Sequence, residues 1–390
     1  MMETADQPTE ASPVSFPETQ IWRSSGGDHA RRGLFPKTVQ LEQTPTKRWE
    51  MAGAVQAPPV FDAHATAYVA DMSGMVRAFD PQGRQRWQVQ LKGGISAAPA
   101  VHPKEDRLYV GTFAGWVYAL DSSSGRELWR KEIPTASDAR ILSDLLLLPA
   151  QNVVILNSWG GRFYALDAAS GAERFSWDAG ITPYAGAAAD SREIVYCLRT
   201  AKGAGLQWLR VEAGGKETVL GEDPEKKREA RRMMVCAAPV VDAERGVVYF
   251  VANRDRGSAI HAWSVKQATL LWTRTFPRGI CATPALRKDG ILIVADLEGN
   301  VSALGADGAP VYRYVSGCEY LLASPVCDAA DNVFVGDPTG VIHQIDRAGL
   351  GQPLHELPRA VQARAAFDPH GNLCVPCTDR AIYRWRNTAG

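Results

Sequence analysis

Apolar and polar residues alternate along this chain in short runs, and three of the runs align with one another. They are Val76 to Trp87 (VRAFDPQGRQRW), Val117 to Trp129 (VYALDSSSGRELW) and Phe163 to Phe175 (FYALDAASGAERF). Each starts with alternating apolar residues, passes through a polar turn and resumes as a second run bearing an aromatic. A period of two marks a half-buried strand, and Asp, Ser and Gly between two such runs mark a tight turn. Each stretch therefore predicts a hairpin. A second strand pair precedes it, clearest in Ser96 to Val101 (SAAPAV), the turn HPKED and Arg107 to Phe113 (RLYVGTF). Four short antiparallel strands in about 40–45 residues is the period of a propeller blade.

Blades are counted from their first strands, which open on small residues able to crowd an axis. These begin near Ala57 (APPVFD), Ala97 (AAPAVH), Leu145 (LLLLPA), Ala185 (AGAAAD), Ala237 (AAPVVD), Ala282 (ATPALR), Ala323 (ASPVCD) and Ala363 (ARAAFD). The expected fold is all-β, an eight-bladed propeller. The last repeat stops after its third strand, Ile382 to Arg386 (IYRWR), whereas Thr46 to Met51 (TKRWEM) looks like a fourth strand with no blade before it. Pairing the two closes the ring and leaves no open edge between first and last blades. The domain expectation is one propeller over residues 21–390 preceded by a disordered segment over 1–20. The fourth blade is the least regular, and its charged run from Glu222 to Arg232 (EDPEKKREARR) reads as a solvated loop.

Composition narrows the classes. With 43 Lys+Arg against 43 Asp+Glu the chain has no net charge, so no broad basic field attracts nucleic acid or anionic lipid. No apolar stretch nears the ~20 residues that span a bilayer. The first twenty residues carry acids and prolines where an export signal needs a basic start and an apolar core, and on that ground a cytoplasmic location is expected. The seven cysteines are odd in number and scattered, which predicts reduced thiols rather than a disulfide framework. Cys374 and Cys377 form one C-x-x-C within a strand; positions three apart face opposite ways, which argues against a metal site.

The pattern A-x-D-x-x-x-G-x-x-x-W stands as Ala119, Asp121, Gly125 and Trp129. It recurs shortened at Ala78, Asp80 and Trp87, and degenerates at Ala165, Asp167, Gly171 and Phe175. It resembles the repeat of pyrroloquinoline-quinone-like (PQQ-like) propellers, and Trp22 to Gly33 (WRSSGGDHARRG) resembles the segment preceding their first blade. The resemblance implies an eight-bladed ring whose tryptophans dock between neighbouring blades. It spans two kinds of protein. Quinoprotein alcohol dehydrogenases bind the quinone and calcium and carry an adjacent-cysteine disulfide, but this sequence has no Cys-Cys pair. BamB-type outer-membrane assembly lipoproteins are non-catalytic scaffolds with a lipidated cysteine, but no cysteine occurs here before Cys197.

Candidate chemistry gathers on the ring face where the connections enter each first strand. There Arg140, Arg231, Arg232, Arg278 and Arg364 are candidate anion ligands, and Asp138, Tyr184, Glu319 and Tyr320 candidate catalytic groups. Asp144 stands in the same connections. The alternative is that these residues pair with one another and close the mouth. Asp71 (DMSG), Asp296 (DLEG) and Asp337 (DPTG) occupy equivalent turns and form a weak candidate ring for calcium, although D-x-x-G is above all a turn sequence whose Asp accepts from its own backbone. Neither quinone nor calcium is expected as cofactor. The leading expectation is a non-catalytic scaffold that binds a protein partner or small ligand on one face. The alternative is a cofactor-independent enzyme acting on a small, anionic organic substrate in the central funnel; a quinone-dependent dehydrogenase is less favoured.

Overall fold

A computed structural model describes residues 21–134, 138–180, 186–201, 205–223, 236–254 and 256–389. The expected segment over 1–20 lies outside the described residues. Among the described residues there is no helix, and hence none long and apolar enough to cross a membrane. Among the described residues thirty-two strands form eight four-stranded antiparallel sheets, and inner strands of neighbouring blades touch, as Val60–Phe61 does Ala100–Val101 and Val240–Asp242 does Ala285–Leu286. The expected eight-bladed propeller is the observed fold.

The second blade shows how the sequence sets each layer. Its strands are Ala100–Val101, Arg107–Gly111, Trp116–Asp121 and Glu127–Glu132. The innermost strand is short and wholly buried, and the next is buried from Leu108 onward, while the outermost alternates exposed with half-buried residues. Small or branched side chains are thus placed where the blades converge, and charge where they diverge. Between third and fourth strands the register shifts in seven blades, in five of them at the same point just before the turn, as at Ala78/Phe79, Ala119/Leu120 and Ala303/Leu304. A bulge there adds right-handed twist to the outer edge.

In most blades an outer-strand aromatic docks on the next blade's hairpin turn. Trp87 donates its Nε1–H to Ser122 O (2.9 Å), Trp129 to Ala168 O (3.1 Å) and Trp272 to Ala306 O (2.8 Å). The turn glycine beneath the ring is required twice over. Gly125 has φ of +75°, where side chains are strained, and a Cβ on it would come within 2.6 Å of the Trp87 ring. The spacing G-x-x-x-W therefore encodes one contact at both ends: the glycine receives the previous blade's ring and the tryptophan passes the contact onward.

The same contact seals the circle. The strand Lys47–Glu50 pairs antiparallel with Ala381–Trp385, Trp49 standing opposite Ile382 and Lys47 opposite Arg384. Trp49 then stacks on Phe79 of the first blade, ring centroids 5.1 Å apart, above Gly83. One strand from the start of the chain completes the last sheet and supplies that blade's docking aromatic.

In the fourth blade the strands Ala188–Ala189, Val195–Ala201, Gly205–Val211 and Glu217–Glu222 form a regular sheet. Of the run read as a solvated loop, Glu222 ends a strand and Asp223 is buried, paired at 3.0 Å with Arg254. A buried carboxylate needs such a cation, so the loop reading fails at Asp223; residues 224–232 lie outside the described residues.

Trp49→Ala removes the closing aromatic and leaves a void between last and first blades. The expected loss is about 3–5 kcal/mol, read as a lower denaturant midpoint at unchanged slope; a loss below ~1 kcal/mol would show that closure does not rest on this side chain.

Candidate functional site

The site forms on the axis, and strand periodicity places its side chains. Residues four and two positions before each inner strand lie on one side of the extended chain, because strand side chains alternate. The outer tier is Gln56, Ser96, Leu142, Cys236, Cys281, Leu322 and Gln362, with Tyr184 at the equivalent position of the fourth blade outside the described residues. The inner tier includes Asp144, Gly186, Ala238, Thr283, Ser324 and Arg364. All of these described residues line one axial cavity of about 450 Å³.

The floor of that cavity is the segment Trp22 to Phe35. Innermost strands have no neighbour toward the axis, so their inward N–H groups need acceptors. Carbonyls of this segment supply them. Phe61 N–H donates to Trp22 O (2.8 Å), Val101 to Arg23 O (3.0 Å), Ala189 to His29 O (2.8 Å), Val241 to Ala30 O (3.0 Å), Leu286 to Arg32 O (2.7 Å) and Cys327 to Gly33 O (2.7 Å). Those bonds reach six blades. The eighth is met by Phe35 stacked on Phe367 at 5.0 Å, and the third by Arg31. One segment thus ties all eight blades and divides the channel, with a second cavity of about 400 Å³ at the opposite mouth, lined by Trp22, Asp28, Leu34, Pro103 and Pro149 among others.

Arg31 is 1% exposed and donates to four carbonyls, Ser25 O, Ala187 O, Asp144 O and Leu145 O, at 3.0–3.2 Å. Burial lowers its pKa, an effect that nearby Asp144 and Asp28 oppose. Arg364, 3% exposed, donates from Nη2 to Thr283 O (2.7 Å) and more weakly to Pro284 O (3.4 Å). Among the described residues its buried Nε and Nη1 have no hydrogen-bond partner. A Cβ on Gly26 would collide with that Nη1, so glycine lets the floor lie against the guanidinium. Burial brings the Arg364 pKa down to about 10, leaving it a cation at neutral pH. Asp144 accepts from Ala98 N–H at 2.7 Å and stands 3.8 Å from Arg31.

Of the rim residues expected from sequence, Arg364 and Asp144 line the cavity, whereas Asp138, Arg140, Arg278, Glu319 and Tyr320 are not among its lining residues. Asp138 and Arg140 pair with each other in a forked contact at 2.7–3.0 Å, and the Arg140 guanidinium lies over Trp159 at 4.6 Å. Arg278 and Glu319 are exposed and Tyr320 is half-buried. Tyr184, Arg231 and Arg232 lie outside the described residues.

Asp71 accepts from Ser73 N–H, Ser73 Oγ–H and Gly53 N–H at 2.5–2.8 Å. Asp296 accepts from Glu298 and Asn300 N–H, and Asp337 from Thr339 N–H and Oγ–H at 2.7–2.8 Å, with His343 Nε2 at 3.0 Å. Each carboxylate is occupied by its own turn. Among the described residues no three His, Cys, Asp or Glu cluster as metal ligands. Cys374 and Cys377 lie on one unbulged strand, Leu373–Cys377, where their spacing turns them to opposite faces.

Sequence reasoning missed the floor and most of both tiers. The tiers carried a signal, two alternating positions before each inner strand, but the smallness of the neighbouring alanines drew the reading to packing. The floor carried almost none, because its bonding atoms are backbone carbonyls.

A family model described as outer membrane protein assembly factor BamB matches residues 72–349. The chain belongs to that family. Two relatives bear the same description. One, from Nitrosomonas eutropha, is 27% identical over 230 residues, covering 55% of this chain and 50% of its own length. The other, from Moranella endobia, is 25% identical over 309 residues, 72% of each. The chain thus spans about half the length of the first. Among solved structures, BamB from Moraxella catarrhalis superposes with a TM-score of 0.69 at 19% identity, covering 89% of this chain and 98% of that one. Quinohemoprotein alcohol dehydrogenase from Comamonas testosteroni gives 0.74 at 13% identity, covering 95% and 81%. These structures share the fold.

The family corrects the expectation of a cytoplasmic location, since the relatives are by name outer-membrane assembly factors. The physical reason for the error is that a propeller is built from the same blade contacts in any compartment, and the expectation rested on the first twenty residues, which lie outside the described residues.

Arg31→Met would leave four buried carbonyls without their donor. The expected result is a loss of about 3 kcal/mol together with new protease cleavage between residues 21 and 37; an unchanged midpoint and digestion pattern would show that the floor is held without this side chain.

Proposed function

We propose that this protein is a non-catalytic scaffold of outer-membrane protein assembly, presenting one face of its ring to a protein partner. Family membership supports the assembly role, and the floor supports the scaffold: one segment tied to all eight blades makes the ring a fixed platform for its loops. The presenting face is the one on which the first-strand connections enter, where Arg140, Arg278 and Glu319 stand exposed. Loops held on a rigid frame are the usual carriers of recognition. The proposal includes neither quinone nor calcium, and treats residues 21–390 as one unit. Its test is capture of partners from a cell-envelope extract by the full chain and by a triple Arg140→Ala, Arg278→Ala, Glu319→Ala variant. The triple variant is expected to lose at least ~10-fold in captured partner, spread over the three single changes. Equal capture by a folded triple variant overturns the choice of face.

A second reading rests on Arg364. Two of its buried nitrogens lack acceptors among the described residues, and the cavity it lines holds one carboxylate, Asp144, that already accepts from Ala98 N–H and stands 3.8 Å from Arg31. Buried donors without partners favour an anion, so we propose that the cavity also accepts a small carboxylate or phosphate. Titration calorimetry with succinate and with inorganic phosphate is expected to show binding that Arg364→Met weakens at least ~10-fold. Absence of heat with either anion on the folded protein overturns this reading and leaves the scaffold standing.

A further inference from the structure

Two thiols meet in the cavity wall where the fifth and sixth blades adjoin. Cys236 and Cys281 occupy the same position of successive repeats, each opening the sequence Cys-Ala-x-Pro four residues before the inner strands Val240–Asp242 and Ala285–Leu286. Their sulfurs stand 3.0 Å apart and unbonded, about 1 Å from the length of a disulfide. Two residues onward, Ala238 N–H donates to Thr283 Oγ1 at 3.0 Å, which fixes the two entering segments side by side. The approach of the sulfurs is therefore set by the register of adjacent blades.

Access separates this pair from the other cysteines. Cys236 and Cys281 are half-buried and both line the axial cavity, whereas Cys197, Cys327, Cys374 and Cys377 are buried. Cys318 is half-buried too, but it is not among the residues that line the cavity. The Cys281 thiol is held below its ordinary pKa because the neighbouring Cys236 S–H hydrogen-bonds to its thiolate, against the opposing effect of burial. A thiolate is the attacking species in thiol–disulfide exchange.

We propose that Cys236 and Cys281 form an inter-blade disulfide by exchange with a low-molecular-weight disulfide that enters the axial cavity. The Cys281 thiolate attacks one sulfur of the reagent, forming a mixed disulfide and expelling one thiolate. Cys236 then gives up its proton and attacks the Cys281 sulfur, which expels the second. Two protein thiols are oxidised to one disulfide, and the reagent disulfide is reduced to two thiols. The bridge spans 45 residues of sequence and fastens the fifth blade to the sixth beside the floor.

The test uses the full chain incubated with oxidised glutathione and mapped as peptides by mass spectrometry. The expected product is one cross-linked peptide pair joining Cys236 to Cys281, two hydrogens lighter than the free peptides, with no glutathione retained on either. Cys236→Ser, which removes the resolving thiol, is expected to trap glutathione on Cys281. The oxidised chain is expected to melt about 4 °C above the reduced one, a difference that the Cys236→Ser, Cys281→Ser double variant lacks. Separate glutathione adducts on both cysteines of the wild-type chain, or two unreacted thiols in the folded protein, overturn the proposal. Neither result bears on partner capture or on anion binding at Arg364.

Discussion

Everything in this ring depends on what becomes of the inward N–H groups of the innermost strands. A blade satisfies its second, third and fourth strands by pairing, yet the first strand ends the sheet at the axis, where there is little room for another. The chain meets that requirement with backbone carbonyls from Trp22, Arg23, His29, Ala30, Arg32 and Gly33. Since the acceptors belong to one continuous segment, satisfying the edges also couples the blades. The buried guanidiniums follow from the same arrangement: Arg31 reaches the third blade, which takes no carbonyl from the segment, and Arg364 lies against the segment where Gly26 leaves it space.

Around the circumference the coupling is of another kind. There an aromatic ring from most outer strands lies on a glycine turn of its neighbour, as Trp87 does on Gly125 and Trp129 on Gly171. These contacts are local to adjacent blades, so they give the ring its curvature without fixing the number of blades. Closure comes from Lys47–Glu50, which brings the chain's own start into the last sheet. The two systems divide the work: the rim sets the angle between neighbours, and the axis holds all of them to a common centre.

The sequence made the repeat legible because the rim contact involves side chains at a fixed spacing, Gly125 to Trp129 in the clearest case. It made the closure legible because a lone fourth strand around Trp49 answered a blade ending at Trp385. Arg364 was legible as a site residue by position alone. Asp138 and Arg140 sat in the right connections, but two residues apart they reach each other more easily than the axis. The floor was not legible, since a carbonyl is common to every residue and its role depends on where the backbone runs. The compartment was not legible either, because fold and address are encoded in different parts of a chain.

The floor and the closing strand both come from the first fifty residues, while their partners extend to Trp385. Ribosomal synthesis releases these residues before the blades they join, so this segment waits until the eighth blade has been made before its last partners exist. Until then Lys47–Glu50 and the floor carbonyls that serve the later blades lack their partners, a state open to premature association. A polypeptide organised this way closes its ring only once its last blade has been made, and its early folding is governed by how well the earlier blades tolerate the delay.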